Sequence, residues 1–130
     1  LSNYYETEKE KLHPFTKSRI EAGIPVSAKQ YIEAIENAKK MQQTLSKFFN
    51  KFDAIITPAA TGQAPRDLMN TGNAIFNGYW TMMGVPAISL PLLKGEDSLP
   101  IGVQIISSWN EDFKLLKIAE YILQETKKAC

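Results

Sequence analysis

Residues 84–107 read GVPAISLPLLKGEDSLPIGVQIIS and decide the fold of this chain. Two apolar runs, residues 86–93 and 99–107, are separated by the polar, glycine-containing residues 94–98. A connection this short closes a hairpin between antiparallel strands, whereas parallel strands need a long crossover. The stretch therefore predicts two buried antiparallel strands at the centre of a sheet. Gly102, inside the second run, marks a bulge or the close approach of another backbone.

The segment before this hairpin predicts a long helix over residues 28–52. Ser27 followed by Gln30 is a capping-box pattern, which marks a helix N-terminus. Apolar residues then recur at helical spacing and predict a stripe that faces a core. The members of the stripe are Tyr31, Ile35, Ala38, Leu45, Phe48, Phe49 and Phe52.

The remaining elements follow from changes in period along the chain. A continuous apolar run predicts a buried strand over residues 53–58, covered on both faces. The Gly-, Pro- and Asn-rich residues 59–73 predict a long loop of the kind that often carries function. Residues 74–83 predict a helix that ends at Gly84, and residues 111–126 predict a last amphipathic helix. The fold class is α/β, with residues 1–130 forming one partial domain and residues 1–26 an irregular or helical lead-in.

Composition limits the partners and the location of the protein. The chain has 130 residues, 44% hydrophobic and 22% charged, with a net charge of +1. Intermixed Lys and Glu residues argue against a nucleic-acid face, and no apolar run approaches the roughly 18 residues of a membrane span. The first residues lack an initiator Met and the apolar block of a signal peptide. The single cysteine, Cys130, is expected to be an exposed terminal thiol, and a reducing compartment, the cytoplasm, is predicted.

The common catalytic motifs are absent from the sequence. It contains no GxSxG, HExxH, GxGxxG or GxxxxGK[ST] pattern. His13 is the only histidine and has no second ligand at metal-binding spacing, so no metal site and no cofactor are predicted. Ser107 and Ser108 follow a strand, but without a neighbouring glycine or base they are read as a strand end rather than as nucleophiles.

Three segments in order resemble the C-terminal portion of the amidase signature family. They are FDAIITPAA (52–60), IFNGYWTMMGVPAISLPL (75–92) and SLPIGVQIISSWNEDFKLLKIAEYIL (98–123). The resemblance implies a mixed sheet covered by helices and an enzyme that hydrolyses a small-molecule carboxylic amide through an acyl-serine intermediate. The family's serine and cis-serine lie in a Gly/Ser-rich segment that this chain does not contain, and its lysine lies further upstream still. No catalytic residue is therefore assigned here, and the chain alone is predicted to be inactive.

The resemblance also implies a substrate-pocket wall on the helix before residue 84. The candidate residues are Ala74, Asn77, Trp80 and Thr81, although Trp80 could equally be a core residue. Family members that act on glutamine typically carry an acidic residue where this chain has Ala74. This difference favours a general amidase over the A subunit of a glutamine-dependent tRNA amidotransferase. A non-catalytic α/β association module is the other alternative, and self-association or pairing with the missing N-terminal part is expected.

Overall fold

The computed structural model describes residues 2–67 and 69–129, so Cys130 and the prediction made for its thiol lie outside the described residues. The elements are α1 (Ser2–Glu8), a 3-10 turn (Lys9–Lys11), α2 (Pro14–Gly23), α3 (Ala28–Phe49), β1 (Ile55–Pro58), α4 (Gly78–Met83), β2 (Ala87–Lys94), β3 (Pro100–Ile106) and α5 (Asp112–Ala129). Two compact units are distinguished, Leu1–Asn37 and Ala38–Cys130. The single partial domain proposed from the sequence stays a prediction.

The first unit contains short helices whose ends are fixed by local contacts. His13 precedes Pro14 at the start of α2, and its Nδ1 accepts a hydrogen bond of 3.3 Å from the Phe15 amide. The Tyr5 hydroxyl donates to Glu21 Oε1 over 2.8 Å. Since this hydroxyl stabilises the charged form, with Lys9 adding to the effect, the pKa of Glu21 lies below its ordinary value.

The start of α3 confirms the predicted capping box. The Gln30 amide donates to Ser27 Oγ over 3.2 Å, while the Ser27 amide donates to Gln30 Oε1 over 2.9 Å. The two side chains thus satisfy two backbone donors that the helix leaves unpaired.

The predicted hairpin is confirmed, and it forms most of a three-stranded sheet in the order β1-β3-β2. The predicted central and buried position holds for β3 only, because β2 lies at the edge of this sheet and Leu90 is its one buried residue. Ile88 pairs with Ile105 in β3, which pairs on its other side with Ile56. The α/β class is confirmed, but the mixed sheet implied by the resemblance is not seen within the described residues. Both strand pairings here are antiparallel. For β2 and β3 this follows from the short turn that joins them.

Helix α5 covers one face of this sheet and makes the core. Leu90 and Ile105 from the sheet pack with Leu115 and Ala119 from α5, and all four are at most 4% exposed. The last helix is therefore confirmed in place; of its predicted apolar residues, Leu115 and Ala119 are buried, whereas Leu116 is 56% exposed. None of the described helices is long and apolar enough to cross a bilayer.

Three further sequence predictions need correction. Helix α3 has no buried residue, so its stripe does not face a core among the described residues, and Tyr31 is 63% exposed. The β1 strand is not covered on both faces, since Ile56 is 62% exposed. An apolar pattern predicts which face of a helix or strand packs against another apolar surface. It does not predict that this surface lies in the same chain.

The third correction concerns the helix predicted over residues 74–83, which starts at Gly78. Asn73 Oδ1 accepts a hydrogen bond of 3.0 Å from the Ile75 amide, and the Ala74 carbonyl accepts from the Asn77 and Gly78 amides. These bonds close one isolated turn ahead of the helix, and continuous helix begins only at Gly78. The end of the helix is as predicted, with Gly84 left-handed at a φ of 64°.

Candidate functional site

A polar row crosses the sheet on the face opposite to α5. The register places Thr57, Gln104 and Ser89 side by side on β1, β3 and β2. Directly opposed residues in antiparallel strands share a face, so these three side chains form one row. Gln104 is only 7% exposed, and its Oε1 lies 3.4 Å from the Thr57 hydroxyl. Gln104 is the buried member of this row, whereas Thr57 is half-buried and Ser89 is exposed.

The chain leaving β1 passes close over this face at Gly102. The Ala59 amide donates to the Gly102 carbonyl over 3.0 Å. A Cβ on Gly102 would lie 2.9 Å from the Ala59 Cβ and would also collide with Ser89 Oγ. The predicted close approach of another backbone is confirmed, and the glycine is what permits it.

A cavity of about 380 Å³ lies beside this crossing. Seven consecutive residues of the loop after β1 form one wall, and the sheet contributes Ser89 and Gly102. All of the lining side chains are uncharged. They are Ala59, Ala60, Thr61, Gly62, Gln63, Ala64, Pro65, Thr71, Gly72, Asn73, Ala74, Asn77, Ser89, Pro100 and Gly102.

The structure brings together two of the four residues proposed from the sequence. Ala74 and Asn77 both line the cavity, and Asn77 Nδ2 donates to the Ala59 carbonyl over 3.2 Å. Trp80 and Thr81 lie on α4 and do not line it. Thr81 donates its hydroxyl to the Asn77 carbonyl over 3.1 Å, whereas the Trp80 Nε1 is buried with no hydrogen-bond partner among the described residues.

The orientation of Asn77 gives the cavity a directed polar group. Because its amide nitrogen is engaged by Ala59, the carboxamide oxygen is the end available as an acceptor. Ser89 adds a hydroxyl, which can donate or accept. The cavity can therefore hold an uncharged polar ligand by hydrogen bonds, and it offers no charged group to a charged one.

The described residues do not assemble a nucleophile with its base. Ser107 is fully buried and its Oγ has no hydrogen-bond partner in the described ranges, so no histidine, lysine or carboxylate is placed to take its proton. The same ranges hold no group of three His, Cys, Asp or Glu side chains that could bind a metal ion.

The loop wall is tied to the β2–β3 turn by three side chains. Gln63 Nε2 donates to Asp97 Oδ2 over 2.5 Å, and Arg66 makes a two-pronged ion pair with the same carboxylate. The Arg66 guanidinium, followed by the Gln63 amide, holds the pKa of Asp97 below its ordinary value. Sequence reasoning missed these residues and Ser89, because no local pattern marks a contact between distant side chains.

The comparisons with known proteins cover nearly the whole chain. The amidase family model matches residues 1–116. The A subunit of the glutamyl-tRNA(Gln) amidotransferase of Listeria welshimeri is 31% identical over 95% of this chain and 28% of its own length. The corresponding protein of Alkaliphilus metalliredigens is 32% identical over 73% of this chain and 21% of its own length.

A solved structure supports the fold. The crystal structure of an amidase superposes with a TM-score of 0.83 over 95% of this chain and 31% of its own length, at 22% identity. At that identity the superposition establishes the α/β fold alone. The chain spans about a quarter of the length of the curated relatives that it matches. With a family model that matches residues 1–116, the chain belongs to the amidase signature family.

Proposed function

We propose that this chain forms the scaffold and part of the pocket wall of an enzyme that hydrolyses an uncharged carboxylic amide. The observation that carries the proposal is the cavity beside Gly102, whose lining offers hydrogen bonds from Asn77 and Ser89 and no charge. Family membership supports the reaction class. Ala74 and Asn77 are proposed as pocket residues on their position, and Trp80 and Thr81 on the resemblance alone.

The proposed reaction uses a serine, a cis-serine and a lysine that lie outside these residues. The serine oxygen attacks the amide carbonyl, the C–N bond breaks, and the leaving nitrogen departs as ammonia after it takes a proton. Water then attacks the acyl-serine, which releases the carboxylic acid and restores the serine. This chain contributes the binding of the substrate, which orients the carbonyl for attack.

The A subunit of a glutamine-dependent amidotransferase is the second candidate, and the names of the Listeria and Alkaliphilus relatives favour it. Glutamine carries an ammonium and a carboxylate, both of which lose hydration when they are bound. This part of the wall offers no charged partner for either group. By the family resemblance, Ala74 stands where an acidic residue would hold the ammonium, and that difference favours a simple amide over glutamine.

A non-catalytic association module is the third candidate. The apolar side chains of α3, including Tyr31 and Phe48, are exposed and could bind another protein surface. In light scattering, a stable monomer across a wide concentration range would argue against this candidate, whereas association would fit it and an enzyme segment that pairs with another part of its domain alike.

The proposed function is tested with the longer protein that contains these residues. Ammonia release is measured with propionamide, benzamide and glutamine, and hydroxylamine is added to trap the acyl-serine as a hydroxamate. We expect turnover of the simple amides, a hydroxamate product, and a much lower kcat/KM for glutamine. The 130-residue chain alone should release no ammonia. Turnover of glutamine above that of both simple amides would overturn the substrate assignment.

A further inference from the structure

We propose that Gln63 and Arg66 are positioning residues that fasten the cavity wall, residues 59–65, to the β2–β3 turn through Asp97. We call this set of contacts the latch. The proposal rests on the proposed function in one respect, that the cavity is part of the substrate pocket. Its structural content can be tested without a substrate.

The cavity wall has few backbone hydrogen bonds of its own in the described structure. Ala59, at its start, is held by the Gly102 carbonyl and by Asn77. Between residues 60 and 66, the described structure contains no hydrogen bond from one backbone group to another. A segment of this kind opens easily unless side chains fix it. The contacts of Gln63 and Arg66 with Asp97 therefore hold the part of this segment that lies away from Ala59.

The Gln63 side chain forms two hydrogen bonds with Asp97 in the β2–β3 turn. Its Nε2 donates to Asp97 Oδ2 over 2.5 Å, while its Oε1 accepts from the Asp97 amide over 3.2 Å. One carboxamide therefore binds both the side chain and the backbone of a single residue, which fixes its position more tightly than one bond would.

The β2–β3 turn has space for the Gln63 side chain because residue 95 is a glycine. A Cβ on Gly95 would lie 2.9 Å from Gln63 Cδ and 3.0 Å from its Cβ. Only a residue without a Cβ leaves that space free. The turn keeps its own hydrogen bonds, from the Gly95 amide to Leu99 and from the Ser98 amide to Gly95. It is therefore an independent anchor rather than a loop held by the latch.

Arg66 completes the latch by neutralising Asp97. Its Nε donates to Asp97 Oδ2 over 3.2 Å and its Nη2 pairs with Oδ1. A bidentate guanidinium–carboxylate pair is directional as well as attractive. Because the Arg66 side chain is 83% exposed and Asp97 34% exposed, the pair is partly screened by water. The latch should therefore hold the wall in place without contributing much to global stability.

The structural test is hydrogen exchange, residue by residue, in the 130-residue chain. The Asp97 amide should exchange slowly in the wild type, and Gln63→Ala or Asp97→Asn should lower the protection of the amide at position 97, corrected for the intrinsic exchange rate of each sequence, about 5-fold. Exchange of the Gly95 and Ser98 amides should stay unchanged. Glu125→Gln, which removes a similarly exposed ion pair with Lys128, is the matched control and should leave the Asp97 amide unaffected.

A double-mutant cycle separates a latch from a general loss of stability. Arg66→Gln and Asp97→Asn should each speed exchange, and the double variant should be little faster than either alone, because both remove the same contact. The melting temperature should stay within about 1–2 °C of the wild type. Additive effects, or an Asp97 amide that already exchanges freely in the wild type, would overturn the latch.

The functional test uses the longer, amide-hydrolysing protein. Asp97→Asn should raise KM for benzamide roughly 3- to 5-fold and change kcat by less than about 2-fold, because the wall binds the substrate but does not react. An equal loss of kcat and kcat/KM would contradict a positioning role. A wild-type protein that hydrolyses no amide would overturn the proposed function, while the exchange result would still decide the latch.

Discussion

The backbone of Ala59 lies against Gly102, with a hydrogen bond of 3.0 Å from the Ala59 amide to the Gly102 carbonyl. This contact joins the loop after β1 to the central strand at the edge of the cavity. It depends on a missing side chain, since a Cβ on Gly102 would lie 2.9 Å from the Ala59 Cβ. The glycine is therefore a structural requirement of the candidate site.

The first prediction is that Gly102→Ala destabilises the chain. The new methyl group forces the loop or β3 to move, and overpacking of this kind costs roughly 1–3 kcal/mol of unfolding free energy. Urea denaturation followed by circular dichroism measures the loss. Gly78→Ala is the matched control, because no atom lies within 4 Å of its added Cβ. A Gly102→Ala variant as stable as this control would show that the loop yields without cost.

The second prediction concerns the core between the sheet and α5. Leu115 is 4% exposed, and Leu115→Ala should lower the unfolding free energy by about 2–5 kcal/mol, because it leaves a cavity against Leu90 and Ile105. Leu116→Ala removes the same atoms from a side chain that is 56% exposed, and it should cost less than about 1 kcal/mol. Equal losses in the two variants would contradict the assigned face of α5.

The third prediction tests the capping box of α3. Ser27→Ala removes the acceptor of the Gln30 amide and should lower stability by about 0.5–2 kcal/mol, with a loss of helical circular dichroism. Ser46→Ala is the control, since this hydroxyl only donates to the Gln42 carbonyl of its own helix. A Ser27→Ala variant with unchanged helicity would mean that the cap is not formed in solution.

The fourth prediction is a pH dependence of the latch. The Arg66 guanidinium and then the Gln63 amide lower the pKa of Asp97 from its ordinary 3.8. A carboxyl whose pKa is lowered on folding stabilises the fold fully above its ordinary pKa, and this contribution disappears as the pH falls through the lowered value. Protection of the Asp97 amide should therefore persist at pH 4 and weaken below it.

Asp97→Asn provides the control for this pH dependence. The variant has no proton to gain, so exchange at position 97, corrected for the intrinsic effect of pH, should be flat below pH 4. The Asp97 carboxyl itself can be followed by carbon NMR, which gives its pKa directly. A wild-type pKa at or above 3.8 would contradict the ion pair with Arg66.

Local patterns in the sequence predicted the hairpin and the cap, because each depends on residues near in sequence. The glycine at position 102 predicted a close approach as well, but not that its partner is the distant Ala59. The latch could not be predicted in this way, since Gln63 and Asp97 are 34 residues apart. The early start assigned to α4 has a different cause. The apolar spacing of residues 74–83 fits a helix, but the Asn73 side chain stabilises a turn ahead of Gly78.

The burial of α3 was mispredicted for a physical reason that also bears on the site. The apolar stripe that includes Tyr31 and Phe48 predicts that one face of the helix packs away from water. It does not predict which surface covers that face. Likewise, Ala74 and Asn77 were placed in a pocket by resemblance, whereas Ser89 enters it through the register of β2 against β3. The candidate site thus depends on strand register and on contacts between distant residues, neither of which a local sequence pattern predicts.

The fifth prediction separates the two kinds of pocket candidate. Asn77 lines the cavity and is fixed by Ala59, so Asn77→Ala in the longer protein proposed to hydrolyse amides should raise KM about 10-fold, the size expected for one lost hydrogen bond of about 1–1.5 kcal/mol. Trp80 does not line this cavity, and its indole nitrogen is buried. Trp80→Ala should chiefly lower the melting temperature, with an unchanged order of preference among propionamide, benzamide and glutamine. A changed preference with unchanged stability would instead make Trp80 a wall of the substrate pocket and place the acyl group on the α4 side of Asn77.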